Sequence, residues 1–457
     1  MSAGPPYAPV QGPGPGPFSG PVSGLVSGPV SGPVSGSASG PVWAPGHGAR
    51  VWRAVRPGRT AVIVFVMFSG LLFILQLGAR GPLIGMAMAG LLLATNRQAA
   101  PGLFGPRSYI FLLPGLCLLS AAWSEDPFGS FRSGLEMTAT IAAGVILSLL
   151  DRRKEMLAGL AAAFAFYKIV AFKLGHFVGA GTAEAAFSGL NSGKNFMAEI
   201  ASTGVIASLG LAAVAVGERR VVWLAAAAAA LVAAVFELYV LYLARSAGAI
   251  IALGLGVACL GGLIAVSRMS VGWRGASAAA AAAAVAVIGV FREPIAKQVS
   301  ELAIRAFDKD PTLTGRTYLW YRAHQMIAEK PWLGHGFHAF WRQGNPDAEG
   351  LWRFADITAR SGFNFHNTGI ELLMQFGWCG TIFIALVAAL GVTLLVRRFV
   401  LKPDMMICFW LALVVFELTR SFYESTFPAP FHFSNILLAA ALASAFRAPE
   451  LVAARRT

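Results

Sequence analysis

An all-α polytopic membrane protein of about twelve transmembrane helices is the fold class this sequence predicts, on three observations. These are an apolar composition, a series of apolar runs near spanning length, and basic residues that recur at every second connection between the runs. Hydrophobic residues make up 56% of the 457 positions and charged residues only 13%, a balance that argues against a soluble globular fold. A hydrocarbon core roughly 30 Å thick is crossed by about 20 helical residues. Candidate runs fall near 60–78, 81–95, 108–123, 134–150, 156–174, 195–216, 220–243, 246–266, 275–291, 366–395, 404–422 and 431–447. The Ala-rich run at 275–291 is only weakly hydrophobic.

Lys and Arg accumulate in the short cytoplasmic connections of membrane helices. Arg50, Arg53, Arg56 and Arg59 precede the first run, Arg97 and Arg107 follow the second, and Arg152, Arg153 and Lys154 follow the fourth. Arg219 and Arg220 follow the sixth, Arg268 and Arg274 the eighth, and Arg397, Arg398 and Lys402 the tenth. This alternation predicts that both termini are cytoplasmic and that the intervening connections lie outside. The net charge of +14 is dispersed between runs rather than gathered in one domain. It therefore points to topology and anionic lipid, not to nucleic acid.

Five regions follow. Residues 1–49 contain no Lys, Arg, Asp or Glu and carry a tetrapeptide repeat from Pro17 to Gly40, a Gly/Pro/Ser-rich composition that predicts a disordered cytoplasmic tail. It has neither the basic start nor the apolar stretch of a cleavable signal peptide. Residues 50–291 form a first bundle of about nine spans, 292–364 a long, partly helical loop outside the cytoplasm, 365–447 the last three spans, and 448–457 a cytoplasmic C-terminal tail. Within the loop, Leu319, Trp320, Ala323, Met326 and Ile327 recur at helical spacing and predict a helix with one apolar face, ended by Pro331 and Gly334. Cys117, Cys259, Cys379 and Cys408 form no CxxC and stand at no metal-ligand spacing with histidine, so they are expected to pack in the core.

The polar residues stranded near the spans carry the functional information. Thr314-Gly315-Arg316-Thr317-Tyr318-Leu319-Trp320 is followed by Lys330-Pro331-Trp332-Leu333-Gly334-His335-Gly336, and then by Phe365-His366-Asn367 leading into Leu372-Leu373-Met374-Gln375-Phe376-Gly377. Upstream stand Gly193-Lys194-Asn195, entering a run, and Leu243-Ala244-Arg245-Ser246, between two runs. In order and spacing, from about 110 to 440, this series resembles the O-antigen ligase and O-antigen polymerase superfamily, especially its exopolysaccharide polymerase branch. The resemblance implies a metal-independent, GT-C-like fold, needing no cofactor, in the bacterial inner membrane. It implies transfer of a glycan from a polyprenyl diphosphate carrier to an acceptor hydroxyl at the periplasmic face. The acceptor is either a lipid A core or another carrier-linked glycan, and the lysine–asparagine element tilts the reading towards polymerase. Membrane lipids and other polysaccharide export components are the remaining expected partners.

By the same resemblance Arg245 and Arg316 hold the diphosphate and His366 lies near the reacting centre. Physical chemistry agrees. A departing diphosphate gains charge, and a guanidinium stays ionised and offers a planar fork of donors to phosphate oxygens. Gly315 would let the backbone at Arg316 approach a ligand closely. The competing readings of Arg316 are a solvated loop arginine or a headgroup contact. His366 takes up a proton near neutral pH, as activation of a hydroxyl requires, or is a hydrogen-bonded structural histidine. Asn367 is expected to orient or cap.

Lys194 lies in a stretch that looks like a phosphate loop, but the glycine interval is one residue short, Asn195 replaces the Ser/Thr, and no strand is expected before it. It remains a secondary diphosphate or glycan contact, or an interfacial anchor. Arg132 either extends the basic site or snorkels to headgroups. Glu199, Glu237, Glu371 and Glu417 fall within runs, where a carboxylate is normally paired or faces a polar cavity. Arg420 and Glu424, four apart, suggest a structural ion pair. The rival functions are a transporter or flippase of lipid-linked oligosaccharide and a non-catalytic scaffold.

Overall fold

The computed structural model describes residues 58–446 apart from 180–184, 192, 217–219, 292–297, 299–315 and 361. The expectations for the 1–49 and 448–457 tails, the first part of the long loop and Gly315 lie outside the described residues. Fourteen helices are labelled here. They are α1 (Arg59–Leu72), α2 (Arg80–Thr95), α3 (Leu112–Leu119), α4 (Pro127–Ser148), α5 (Arg153–Leu174), α6 (Lys194–Ala215) and α7 (Val221–Ala244). After these come α8 (Ala247–Val266), α9 (Val271–Val290), α10 (Arg316–Glu329), α11 (Pro346–Phe354), α12 (Thr368–Leu401), α13 (Met405–Arg420) and α14 (Phe433–Ala443). The helices α5 to α9 and α12 are each long and apolar enough to cross a membrane. The turns around α3, bent by 56° against the preceding 3₁₀ segment, make a seventh candidate span, and α1, α2 and α14 are shorter apolar helices. The protein is a helical membrane protein.

One departure from an all-α chain precedes α6. β1 (His176–Val178) and β2 (Ala186–Gly189) pair antiparallel, where no strand was expected. The stretch is a small hairpin at a helix end rather than the central parallel strand of a phosphate loop. The cysteine expectation also needs correction, because Cys379 is exposed and Cys259 half-buried, while Cys117 and Cys408 are buried. Cys379 lies within α12, whose outward face carries exposed Trp378, Ile382 and Leu386.

Local chemistry sets the helix starts. Asp126, Asn345, Asn367 and Asp404 each accept a backbone N–H from the first turn of α4, α11, α12 and α13, and Pro follows the first two, as N-capping requires. α6 is the most buried of the long apolar helices. Its interior residues are small, among them Ala198, Ala201, Gly204, Ala207 and Gly210, which lets neighbouring backbones approach closely. Gly204 faces an ion pair between Lys168 of α5 and Glu237 of α7, 2.5 Å apart with both side chains fully buried, and Ser208 donates to Glu237 at 3.2 Å. Glu237 is thus paired, as an intramembrane carboxylate should be.

The loop helix α10, Arg316–Glu329 among the described residues, stops before Pro331 as expected and buries Leu319, Ala323, Met326 and Ile327 in a cluster with Phe340, Trp352, Phe365 and Met374. The turn after it has a specific job. α12 breaks at Gly377 (φ 60°, ψ −167°), and the segment after Lys330 supplies the partners that the helix no longer does. His335 and Gly336 donate to the Met374 and Gln375 carbonyls at 2.8 and 3.0 Å, while Trp378 and Cys379 donate to Pro331 and Trp332 at 2.8 and 3.1 Å. Such re-satisfaction lets a helix break without leaving its backbone groups unpaired. A Cβ on Gly377 would stand 2.3 Å from the Trp332 carbonyl carbon, and one on Gly334 2.6 Å from that of Gln375. Gly377→Ala is therefore expected to destabilise by at least the ~1–2 kcal/mol of the left-handed conformation alone, measured as a lowered thermal unfolding midpoint in detergent.

Candidate active site

One end of the bundle gathers the start of α6, the ends of α7 and α13, and the starts of α10 and α12 around a single carboxylate. Glu424 lies in the turn after α13. Its Oε1 accepts from Arg316 Nη2 at 2.9 Å and from Asn195 Nδ2 at 2.8 Å, and its Oε2 is 2.9 Å from His366 Nδ1. Arg316 Nη1 also donates to the Tyr423 carbonyl at 2.7 Å. Ser246, next to Arg245, donates to Asn195 Oδ1 at 3.2 Å. Arg316, at the start of the loop helix, and His366, just before α12, thus meet on one group.

The backbone holds this arrangement. His366 and Arg245 both have positive φ, 51° and 49°, a conformation costly for non-glycine residues. At His366 an Asn364 side-chain oxygen accepts the residue's own N–H at 2.8 Å, which supports the turn. The next residues pin it to the Glu424 segment. Asn367 caps α12 through Ile370 N and donates to the Phe422 carbonyl. Thr368 donates its N–H to Ser421 O and its hydroxyl to Glu424 O, both at 2.9 Å. Asn367 therefore caps as expected and also positions.

Electrostatics fix the protonation of this hub. Burial alone would raise the Glu424 pKa, but the His366 hydrogen bond and the charges of His366, Arg316 and Arg420 outweigh it and hold the carboxyl below the usual carboxylate range. An ionised carboxylate only accepts. His366 Nδ1 must then carry the proton facing Glu424, which leaves Nε2 as the basic nitrogen when the ring is neutral. This is the carboxylate–histidine arrangement that orients a general base.

A second layer lies one turn deeper. Glu199, one turn after Asn195 on α6, pairs with Arg420, four residues before Glu424, at 2.7 Å, and Arg420 also holds Glu417 at 2.9 Å. This corrects the expected Arg420–Glu424 ion pair. The Glu424 N–H still donates to the Arg420 carbonyl at 2.9 Å, but the Arg420 side chain is taken by Glu199 and Glu417 and that of Glu424 by Arg316, Asn195 and His366. Glu371 likewise makes no direct pair with His366; it accepts from the Phe365 backbone at 3.1 Å and from Gln375 at 3.0 Å.

The other expected residues fall as follows. Lys194 is the first residue of α6 and half-buried, beside Asn195. Arg245 caps α7 beside Ser246 and is exposed. Arg132 is not brought to the Glu424 hub; its side chain is 73% exposed and pairs with Glu136 along α4 at 3.0 Å. Glu424 and Asn195 are the residues that sequence reasoning missed as site members. The signal for Glu424 was its position, a carboxylate just beyond the end of a span.

Comparison with known proteins identifies the family. The family model described as O-antigen ligase matches residues 232–385, a stretch that includes Arg245, Arg316 and His366. The chain is 30% identical over 399 residues to the exopolysaccharide production protein ExoQ of Rhizobium meliloti (strain 1021), covering 84% of this chain and 88% of that protein. The chain belongs to the O-antigen ligase and polymerase superfamily of glycan-transferring membrane enzymes.

Proposed function

We propose that this enzyme transfers glycan from a polyprenyl diphosphate carrier to an acceptor hydroxyl at the periplasmic face. In this reading a GT-C-like bundle of about twelve spans lies in the bacterial inner membrane with both termini cytoplasmic. The acceptor is a second carrier-linked glycan rather than a lipid A core, making the enzyme an exopolysaccharide polymerase. The name of the ExoQ relative and the coverage of both chains support that choice.

The observation that carries the reading is the Glu424 bridge between Arg316 and His366. His366 Nε2 takes the proton of the acceptor hydroxyl as its oxygen attacks the donor sugar C1. The C1–O bond to the diphosphate breaks, and the carrier diphosphate leaves with the bonding pair. Arg316 and Arg245 meet its growing charge, stabilising the transition state more than the bound donor. Lys194 and Asn367 border the same site, and no step is assigned to a metal ion or cofactor. Glu424 keeps His366 in the productive tautomer and compensates the imidazolium that forms.

Reconstitution with a polyprenyl diphosphate oligosaccharide tests this directly. Purified protein should lengthen the glycan and release carrier diphosphate, and Arg316→Ala should reduce turnover by roughly 10²-fold or more, the scale of losing one charge-stabilising donor. Movement of the carrier between leaflets without glycan transfer, undisturbed by Arg316→Ala, would instead establish a flippase.

A further inference from the structure

At the end of the bundle opposite the Glu424 hub, a cavity of about 510 Å³ opens between α5, α6, α7 and α13. α13 fixes this relation, since it begins at the cavity with Met405 and Met406 and ends at Arg420. The cavity is lined by Arg152, Arg153, Lys154 and Arg220. Three carboxylates, Asp151, Glu155 and Asp404, also line it. Two of them are engaged within the wall. Glu155 holds Arg152 at 3.0 Å and accepts from Thr60 N, while Asp404 holds Arg153 at 3.0 Å, caps α13 through Ile407 N and faces Arg398 at 3.6 Å. Arg398 is thus a fifth cation just behind the lining. The rest is apolar, chiefly Trp223 and the two methionines, and Lys154 stands 5.9 Å above the Trp223 ring.

A cavity whose described lining sets four guanidinium and ammonium groups against three carboxylates, beside an aromatic and thioether wall, suits an anionic head joined to an apolar body. Arginines read phosphate oxygens through paired donors, and basic pockets between membrane helices bind phospholipid headgroups. The starts of α5 and α7, neither capped by a side chain, add to the positive field without defining the site. We propose that this cavity is a binding site for one net-anionic phospholipid, its phosphodiester held by Arg152, Arg153, Lys154 and Arg220 and its glycerol and upper acyl region lying on Trp223, Met405 and Met406. The glycan chemistry at the other end plays no part in this inference.

Native mass spectrometry of the delipidated full-length protein in detergent tests it, with dioctanoyl phosphatidylglycerol, dioctanoyl phosphatidylcholine and inorganic phosphate as probes. One phosphatidylglycerol should be retained at least about tenfold more strongly than phosphatidylcholine, the scale of ~1.4 kcal/mol, and phosphate should compete poorly. Lys154→Gln with Arg220→Gln should erase that preference, while Arg322→Gln, on α10 at the other end, should preserve it. Equal retention of the two lipids, competition by phosphate as effective as by phosphatidylglycerol, or an unchanged preference in the double variant would overturn the proposal. A photoactivatable phosphatidylglycerol on the wild type reaches the same decision without a variant, because cross-links must map to 151–155, 220–223 or 404–406.

Discussion

Replacing His366 with Ala is expected to lower turnover by roughly 10²–10⁴-fold, the range for removing a positioned general base, and Glu424→Gln should lower it by up to roughly 10⁴-fold, the cost of replacing the carboxylate that holds a catalytic histidine in its tautomer. The double variant should be no worse than His366→Ala. The two groups act as one unit, so their effects are expected to be strongly non-additive. Additive losses would separate Glu424 from the base and leave it as a holder of Arg316 alone. The pH dependence has a definite sign. Glu424 has a folded pKa below its ordinary value of 4.5, so its contribution to stability is fully present above that value and is lost as pH falls through the folded pKa. Acidification from pH 7 to 5 should leave the hub intact in the wild type. A difference in unfolding midpoint between wild type and Glu424→Gln that already shrinks over this range would show that Glu424 is not held ionised.

The parts of this molecule legible in the sequence are those governed by local periodicity and by residue chemistry. Helices occupy each apolar run, and α10 has the apolar face that Leu319, Ala323, Met326 and Ile327 prescribed. Arg316 and His366 stood out because charge is rare in such a chain. What remained hidden depends on residues distant in sequence. Four-residue spacing suggested a link from Arg420 to Glu424, but non-local partners claim both side chains; no local pattern reveals that Glu199, Asn195 and Arg316 arrive there from other elements. The break at Gly377 is equally non-local, because its stability comes from carbonyls and amides of Pro331 to Gly336. Likewise the cavity of Arg152 and Arg220 reads in sequence only as two ordinary basic connections.

Loss of Arg420 should strongly damage folding. Its side chain is 4% exposed and stands between Glu199 and Glu417, 5% and 1% exposed. Removing it leaves two buried carboxylates facing one another without a cation, and breaking such a pair typically costs about 3–5 kcal/mol. Against a typical margin of about 5–15 kcal/mol this is a large share, so Arg420→Met should yield little monodisperse protein. The compensated variant distinguishes charge from shape. With Glu199→Gln and Glu417→Gln added, the layer is neutral, and replacing a whole buried ionic group can be close to neutral in stability. Yield and unfolding midpoint should therefore recover substantially. Activity should not recover in step, because Arg420 also helps to hold Glu424 ionised, and its loss weakens the carboxylate that orients His366. Recovery of fold and turnover together would mean that the deeper layer only packs the helices, whereas recovery of fold alone would show that α6 and α13 carry a two-layer support for the base.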